Sequence, residues 1–159
     1  MIRITLIALG RLKEKYLRDA TLEYEKRLSR FCDLDIIEIE PVKLSDKPSP
    51  AEIEGALLKE AEQILKKIPK NSDVYTLCVE GKQLSSEDFS KNISEMSRHG
   101  RGITFIIGSS YGLSERVKAM SKVRLSVSKM TFPHQLFRVM LLEQLYRAFK
   151  INEGSAYHK

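Results

Sequence analysis

One feature constrains this chain more than any other. Five short, β-rich apolar runs alternate with stretches that carry the 3.6-residue spacing of amphipathic helices. Ile2 to Leu9 (IRITLIAL) is apolar almost without interruption and ends at Gly10, the pattern of a strand covered on both faces. Tyr16 to Leu28 then sets Leu17, Ala20, Tyr24 and Leu28 three or four residues apart among charged side chains, which predicts a helix. Leu34 to Ile39, Val74 to Val79 (closed by Gly81), Ile103 to Ile107 and Val123 to Val127 repeat the strand signal. Between them, Ser49-Pro50-Ala51-Glu52 joins an N-cap, a proline at the first helical position and a capping glutamate, so a helix should run from Pro50 to about Ile68. Ser85 with Asp88 opens the next helix, which stops near Gly100; Leu113 to Met120 reads as a short helix and Pro133 to about Asn152 as a long one. Alternation of this kind predicts an α/β fold, a mainly parallel sheet flanked by helices.

At 159 residues the chain has the size of a single domain spanning 1–159. No apolar stretch approaches the roughly 20 residues needed to cross a bilayer, and the N-terminus lacks the pattern of a secretory leader, so a cytoplasmic protein without a membrane partner is expected. Cys32 and Cys78 have neither C-x-x-C spacing nor nearby histidines, and His99, His134 and His158 are dispersed; no disulfide and no metal site is expected. Charge is more telling. From Ser97 to Lys159 there are eleven Lys and Arg against three Asp and Glu, whereas the chain up to Met96 has a slight acidic excess. Basic residues gathered in one part suit a polyanionic partner, although a solvated basic face has the same composition.

The long C-terminal helix carries Leu136, Phe137, Val139, Met140, Leu141, Leu142, Leu145, Tyr146 and Phe149 around much of its circumference. One face suffices to pack on a sheet, so the surplus predicts a homodimer through this helix; complete burial inside one subunit is the alternative.

Nucleotide-binding signatures are missing. Gly81-Lys82 has no upstream P-loop glycine, and Gly10 stands alone after the first strand where a dinucleotide fingerprint needs three glycines. Ligands of open α/β sheets sit at the C-terminal ends of strands, and three loops can meet there: Leu77 to Gly81, Gly108 to Gly112, and Ser126 to Pro133.

Several segments together carry a resemblance that spans the chain: Glu23-Tyr24, Thr76-Leu77, Gly81-Lys82, Ile106-Ile107-Gly108, Gly112-Leu113, Thr131-Phe132-Pro133-His134, Glu143-Gln144-Leu145-Tyr146-Arg147-Ala148 and the ending Tyr157-His158-Lys159. In these the sequence resembles the SPOUT superfamily of RNA methyltransferases. Within it, the sequence is similar to the small bacterial family that methylates N3 of a pseudouridine in large-subunit (23S) ribosomal RNA. The resemblance implies a C-terminal trefoil knot, S-adenosyl-L-methionine as cofactor, and ribosomal RNA or the ribosome as partner. By that pattern Leu77, Gly108, Val127, Ser128, Lys129, Met130, Thr131 and Phe132 would hold the cofactor, with Leu77, Val127, Met130 and Phe132 enclosing adenine; simple core packing is the competing role for the apolar ones. His134, Arg138, Tyr157 and His158 are the candidate catalytic groups, Arg138 for charge developing on the base and the tail residues for deprotonation or stacking. Arg124, Lys129 and Arg147 are candidate RNA contacts. The family pattern often has glycine where this chain has Ser109, which is compatible with the loop if φ there is negative. Two other functions fit parts of the pattern: a non-catalytic RNA-binding or ribosome-associated module, and a SPOUT enzyme acting on ribose 2′-hydroxyls.

Overall fold

The computed structural model describes residues 1–158. Lys159, the last residue of the tail motif, lies outside the described residues. Five strands, β1 (Ile2–Leu9), β2 (Cys32–Ile39), β3 (Ser72–Gln83), β4 (Gly102–Ile107) and β5 (Val123–Ser126), form one sheet in the order β2-β1-β4-β3-β5. Every pairing is parallel. Five helices connect and follow them: α1 (Lys15–Leu28), α2 (Pro50–Lys67), α3 (Ser86–Arg98), α4 (Glu115–Lys118) and α5 (His134–Asn152). A short 3-10 turn, Ala156–His158, ends the described chain.

The apolar continuity of β1 and β4 has the meaning expected of a parallel sheet, because each strand feeds two cores. Ile4, Leu6, Ile103, Phe105, Ile107 and Tyr75 face a core completed by Phe89, Ile93 and Met96 of α3 and by Leu141, Leu142, Leu145 and Ala148 of α5. Residues of opposite parity, Ile7, Leu9 and Ile106, face a second core with Ala61 and Ile64 of α2 and Val117 of α4. Helices therefore cover both faces, which an all-parallel sheet requires.

The helix starts follow their caps. Ser49 Oγ accepts the Glu52 amide at 3.2 Å behind Pro50, and Ser85 Oγ accepts the Asp88 amide at 3.0 Å. Elsewhere the boundaries move for identifiable reasons. Ser114 accepts the Arg116 amide and caps α4, so the helix starts at Glu115 and Leu113 is free to enter the second core. Pro133 becomes the N-cap of α5 rather than its first residue. Gly81 does not close β3. The strand breaks register between Leu77 and Lys82 and then resumes, pairing Lys82 and Gln83 with Leu125 and Ser126 of β5. A Cβ at Gly81 would stand 2.6 Å from the Arg124 carbonyl oxygen, so glycine permits two backbones to pass closely rather than ending the strand.

Helix α5 packs against α1 and α3 on one face of the sheet. From His134 to Ile151 none of its residues is fully exposed. Much of the surplus apolar surface is thus covered within the subunit, by Phe31 stacked on Phe149 and edge-on to Tyr146, and by Tyr24 tilted against Tyr146. Leu136, Val139 and Met140 remain half-buried.

Candidate active site

A cleft of about 790 Å³ opens at the C-terminal ends of β3, β4 and β5. The three loops anticipated from sequence meet there: residues 77–80, 108–113, 125–128 and 131–134 form its walls. Helix α5 begins at its edge, where Pro133, His134 and Phe137 complete the lining.

The walls are mainly apolar, and their polar edges come from backbone and hydroxyl groups together with Glu80, Lys118 and His134. Gly108 follows the last residue of β4 and turns back against Gly112, whose φ is +82°. A Cβ at 108 would lie 2.6 Å from the Gly112 carbonyl carbon and against its oxygen, so only glycine admits this hairpin-like fold of the loop. Ser109 is accommodated without strain, since among the described residues none other than glycine has positive φ. On the opposite wall, Ser126 Oγ donates to the Ser128 carbonyl at 2.9 Å and the Met130 amide donates to Ser128 Oγ at 3.0 Å, two local bonds that curl the loop after β5.

Of the residues expected to hold a cofactor, Leu77, Gly108, Val127, Ser128, Thr131 and Phe132 line the cleft. Lys129 and Met130 do not. Lys129 is exposed, and Met130 is 72% exposed, its side chain turned to solvent by the same curl that brings Ser128 inward. An adenine-enclosing role for Met130 therefore has no support in this conformation. Sequence reasoning passed over Cys78, Leu125, Phe137 and the cross-cleft pair of Glu80 and Lys118, whose carboxylate and ammonium groups are 2.6 Å apart. No spacing signal links residues 80 and 118; the contact arises only where β3 and α4 meet at the cleft.

The four catalytic candidates separate in space. His134 lies in the cleft wall. Burial, aided by the nearby Arg138 charge, holds its pKa below the usual 6.5, so the ring is neutral at pH 7 and able to accept a proton. Arg138, one turn further along α5, does not line the cleft. In place of a free guanidinium aimed at a ligand, it is 3% exposed and donates to Glu38 Oε2 at 2.7 Å and to the Gly10 carbonyl at 3.0 Å, tying α5 to the ends of β1 and β2. Tyr157 and His158 dock on their own subunit away from the cleft lining. The Tyr157 hydroxyl donates to Glu143 at 3.2 Å, its ring lies under the Arg147 guanidinium, and His158 Nε2 is 2.7 Å from Glu87 of α3. Through its hydrogen bond to His158, the Glu87 carboxyl is held below its ordinary pKa.

The three candidate RNA contacts differ likewise. Arg124 stands partly exposed, 3.6 Å from Glu115, and Lys129 is exposed, whereas Arg147 is engaged by Glu143 at 2.7 Å and by the Tyr157 ring. Among the described residues, no group of three or more His, Cys, Asp and Glu is gathered to hold a metal ion, and no helix is long and apolar enough to cross a membrane.

The depressed pKa of His134 has a measurable consequence. Below 6.5 the unfolded chain binds a proton that the folded chain resists, so stability should fall as pH drops from 6.5 toward the folded pKa. In His134→Gln this part of the pH dependence is expected to vanish, as read from denaturant midpoints between pH 7.5 and 5.

Comparison with known proteins bears on this cleft. A family profile described as "Predicted SPOUT methyltransferase" matches residues 2–158. A Clostridium acetobutylicum protein named "Ribosomal RNA large subunit methyltransferase H" is 52% identical over 159 residues, 99% of this chain and 100% of its own. Its namesake from Streptococcus equi subsp. zooepidemicus is 49% identical with the same coverage. Among solved structures, the SpoU methyltransferase AviRb from Streptomyces viridochromogenes, in complex with AdoMet, aligns with a TM-score of 0.46 at 11% identity, over 97% of this chain and 61% of that chain.

Proposed function

This chain belongs to the SPOUT methyltransferase family, and from that premise we propose that it methylates N3 of a pseudouridine in large-subunit (23S) ribosomal RNA, using S-adenosyl-L-methionine bound in the cleft. The observation that carries this reading is the cleft at the ends of β3, β4 and β5, with Gly108 turned back on Gly112 to open one wall. Apolar Leu77, Val127 and Phe132 suit an adenine ring, and the tight packing of Gly108 on Gly112 keeps the loop beside them clear of any side chain at 108. The residues therefore fit the cofactor.

When bound, that cofactor supplies a methyl group on a sulfonium. The chain must orient the base, exclude water and take a proton, because neutral N3–H has no lone pair with which to attack. His134 is the cleft-lining group that we assign to proton acceptance, its neutral ring being the form required. Arg138 acts through it, fixing the first turns of α5 against Gly10 and Glu38. The tail residues Tyr157 and His158 are assigned to the cleft of a second subunit. Half-buried Leu136, Val139 and Met140 on α5 support a homodimer in which a partner copy covers them. We further read the passage of the chain from β5, at the sheet edge, back to the ends of β1 and β2 as a trefoil knot, and place the enzyme in the cytoplasm.

Transfer of labelled methyl groups to ribosomes from cells lacking this protein, followed by nucleoside analysis, tests the activity directly. Label in 3-methylpseudouridine is expected; label on a ribose hydroxyl would move the assignment within the family, and none at all would reject it. Removing residues 157–159 should leave cofactor affinity within about twofold while turnover falls about tenfold or more, the scale of a missing base-stacking contact worth about 1–3 kcal/mol. Neutralising Arg124 and Lys129 together should reduce the slope of log affinity for RNA against log salt by about 2, one for each phosphate that is no longer neutralised.

A further inference from the structure

Glu60 breaks the pattern of its surroundings. It lies on the buried side of α2 beside Ala56, Ala61 and Ile64, and is 4% exposed. Among the described residues no cation pairs with it. A buried carboxylate without a counter-ion costs stability, and an apolar side chain of similar volume would pack there at lower cost. Its two oxygens have specific partners from distant parts of the chain. The Val42 amide, in the linker after β2, donates to Oε2 at 3.0 Å, and the Ser109 hydroxyl donates to Oε1 at 3.3 Å. Burial raises the carboxyl pKa, opposed by these two bonds.

Ser109 follows Gly108 in the loop that walls the large cleft, and Glu60 stands behind that loop. Between them, the linker and α2 enclose a smaller cavity of about 220 Å³. Ser109, Ser110, Tyr111 and His134 line both spaces, so this short loop is a partition with the cleft on one side and the Glu60 cavity on the other. A thin partition of serines has no apolar core of its own to fix its position. The hydrogen bond from Ser109 to Glu60 is its only side-chain bond to α2 among the described residues.

We propose that Glu60 is a positioning residue for the cofactor cleft: by holding Ser109 on one side and the Val42 amide on the other, it fixes how deeply the Gly108 loop sits. The inference rests on the reading of the cleft as the S-adenosyl-L-methionine site. Glu60 touches neither cofactor nor substrate; it acts through the loop.

Calorimetric titration of the full chain with S-adenosyl-L-methionine, with melting temperature recorded for each protein, provides the test. Glu60→Met keeps the volume and removes both acceptors, and should weaken binding about tenfold, the scale of a missing hydrogen bond to a charged group. Glu60→Gln should bind within about twofold of the original, because its carbonyl accepts from Val42 and its amide donates to Ser109 Oγ. Ser109→Ala should weaken binding about threefold, and should add nothing in the Glu60→Met background, since both changes remove one link. A role in stability alone would lower the melting temperature of Glu60→Met and leave affinity unchanged, which overturns the proposal. Should Glu60→Met fail to fold, wild-type affinity in Ser109→Ala overturns it equally. Absence of binding by the unaltered chain removes the functional reading as well, whereas normal binding by the unaltered chain, by Glu60→Met and by Ser109→Ala removes this inference alone.

Discussion

Replacing Gly108 by alanine is expected to lower affinity for S-adenosyl-L-methionine by about 10- to 100-fold while the chain stays folded. The added methyl would sit 2.6 Å from the Gly112 carbonyl carbon, against its oxygen, and 3.0 Å from Leu113 Cγ. Side-chain tips can turn aside, but two of these three atoms are backbone. The loop must therefore open, and overpacking of this kind costs about 1–3 kcal/mol, enough for one to two decades in binding when all of it falls on the cleft. The damage should remain local, because Gly108 lies beyond the paired residues of β4. Calorimetry for affinity and circular dichroism for folding separate the two effects. Binding within threefold of the original would mean that this loop does not shape the cofactor site.

The second large effect is expected from Arg138→Met, which keeps an unbranched chain and removes every donor. Two bonds disappear at once, to Glu38 and to the Gly10 carbonyl. The ion pair is not fully buried, since the Glu38 side chain is 39% exposed and water can relieve its carboxylate. The expected cost is therefore about 2 kcal/mol rather than the 3–5 of a sealed pair, a fall of about 4–8 °C in melting temperature. Methyl transfer should fall by more than cofactor affinity does, because the first turns of α5, which carry His134, come loose from the sheet. Arg138→Lys should recover the charge but not the two-pronged geometry, and so lie between. A direct role for Arg138 at the reacting base would give the opposite pattern: turnover abolished with the melting temperature unchanged.

The candidate site was legible in the sequence to an uneven degree, and the unevenness has physical causes. Ser49-Pro50 and Ser85 announce their helices because capping is a local interaction, satisfied within four residues. Gly108 was recognisable because a glycine immediately after a buried strand implies close approach of the backbone. By contrast, Gly81 looked like a strand end and proved to be a crossing point with β5, since what it meets, the Arg124 carbonyl, is distant in sequence. Met130 is expected at the adenine by the family resemblance, yet beside the Ser128 turn its side chain stands exposed and outside the cleft lining. Arg138 and Glu60 show the same limit. Each is a charge within an apolar helix face, which sequence alone assigns equally well to a ligand, a phosphate or a structural partner.

The order of elements, both apolar faces of the central strands and the gathering of three loops at one end of the sheet were determined by the sequence itself. They follow from periodicity, capping and the obligation of a parallel sheet to be covered twice. Only the tertiary structure decided which side chains reach the cleft, that Arg138 directs donors to Glu38 and Gly10, and that Glu60 stands behind the Gly108 loop. Those outcomes depend on pairings between residues up to 128 positions apart, and interactions of that range leave no periodic trace in a single chain.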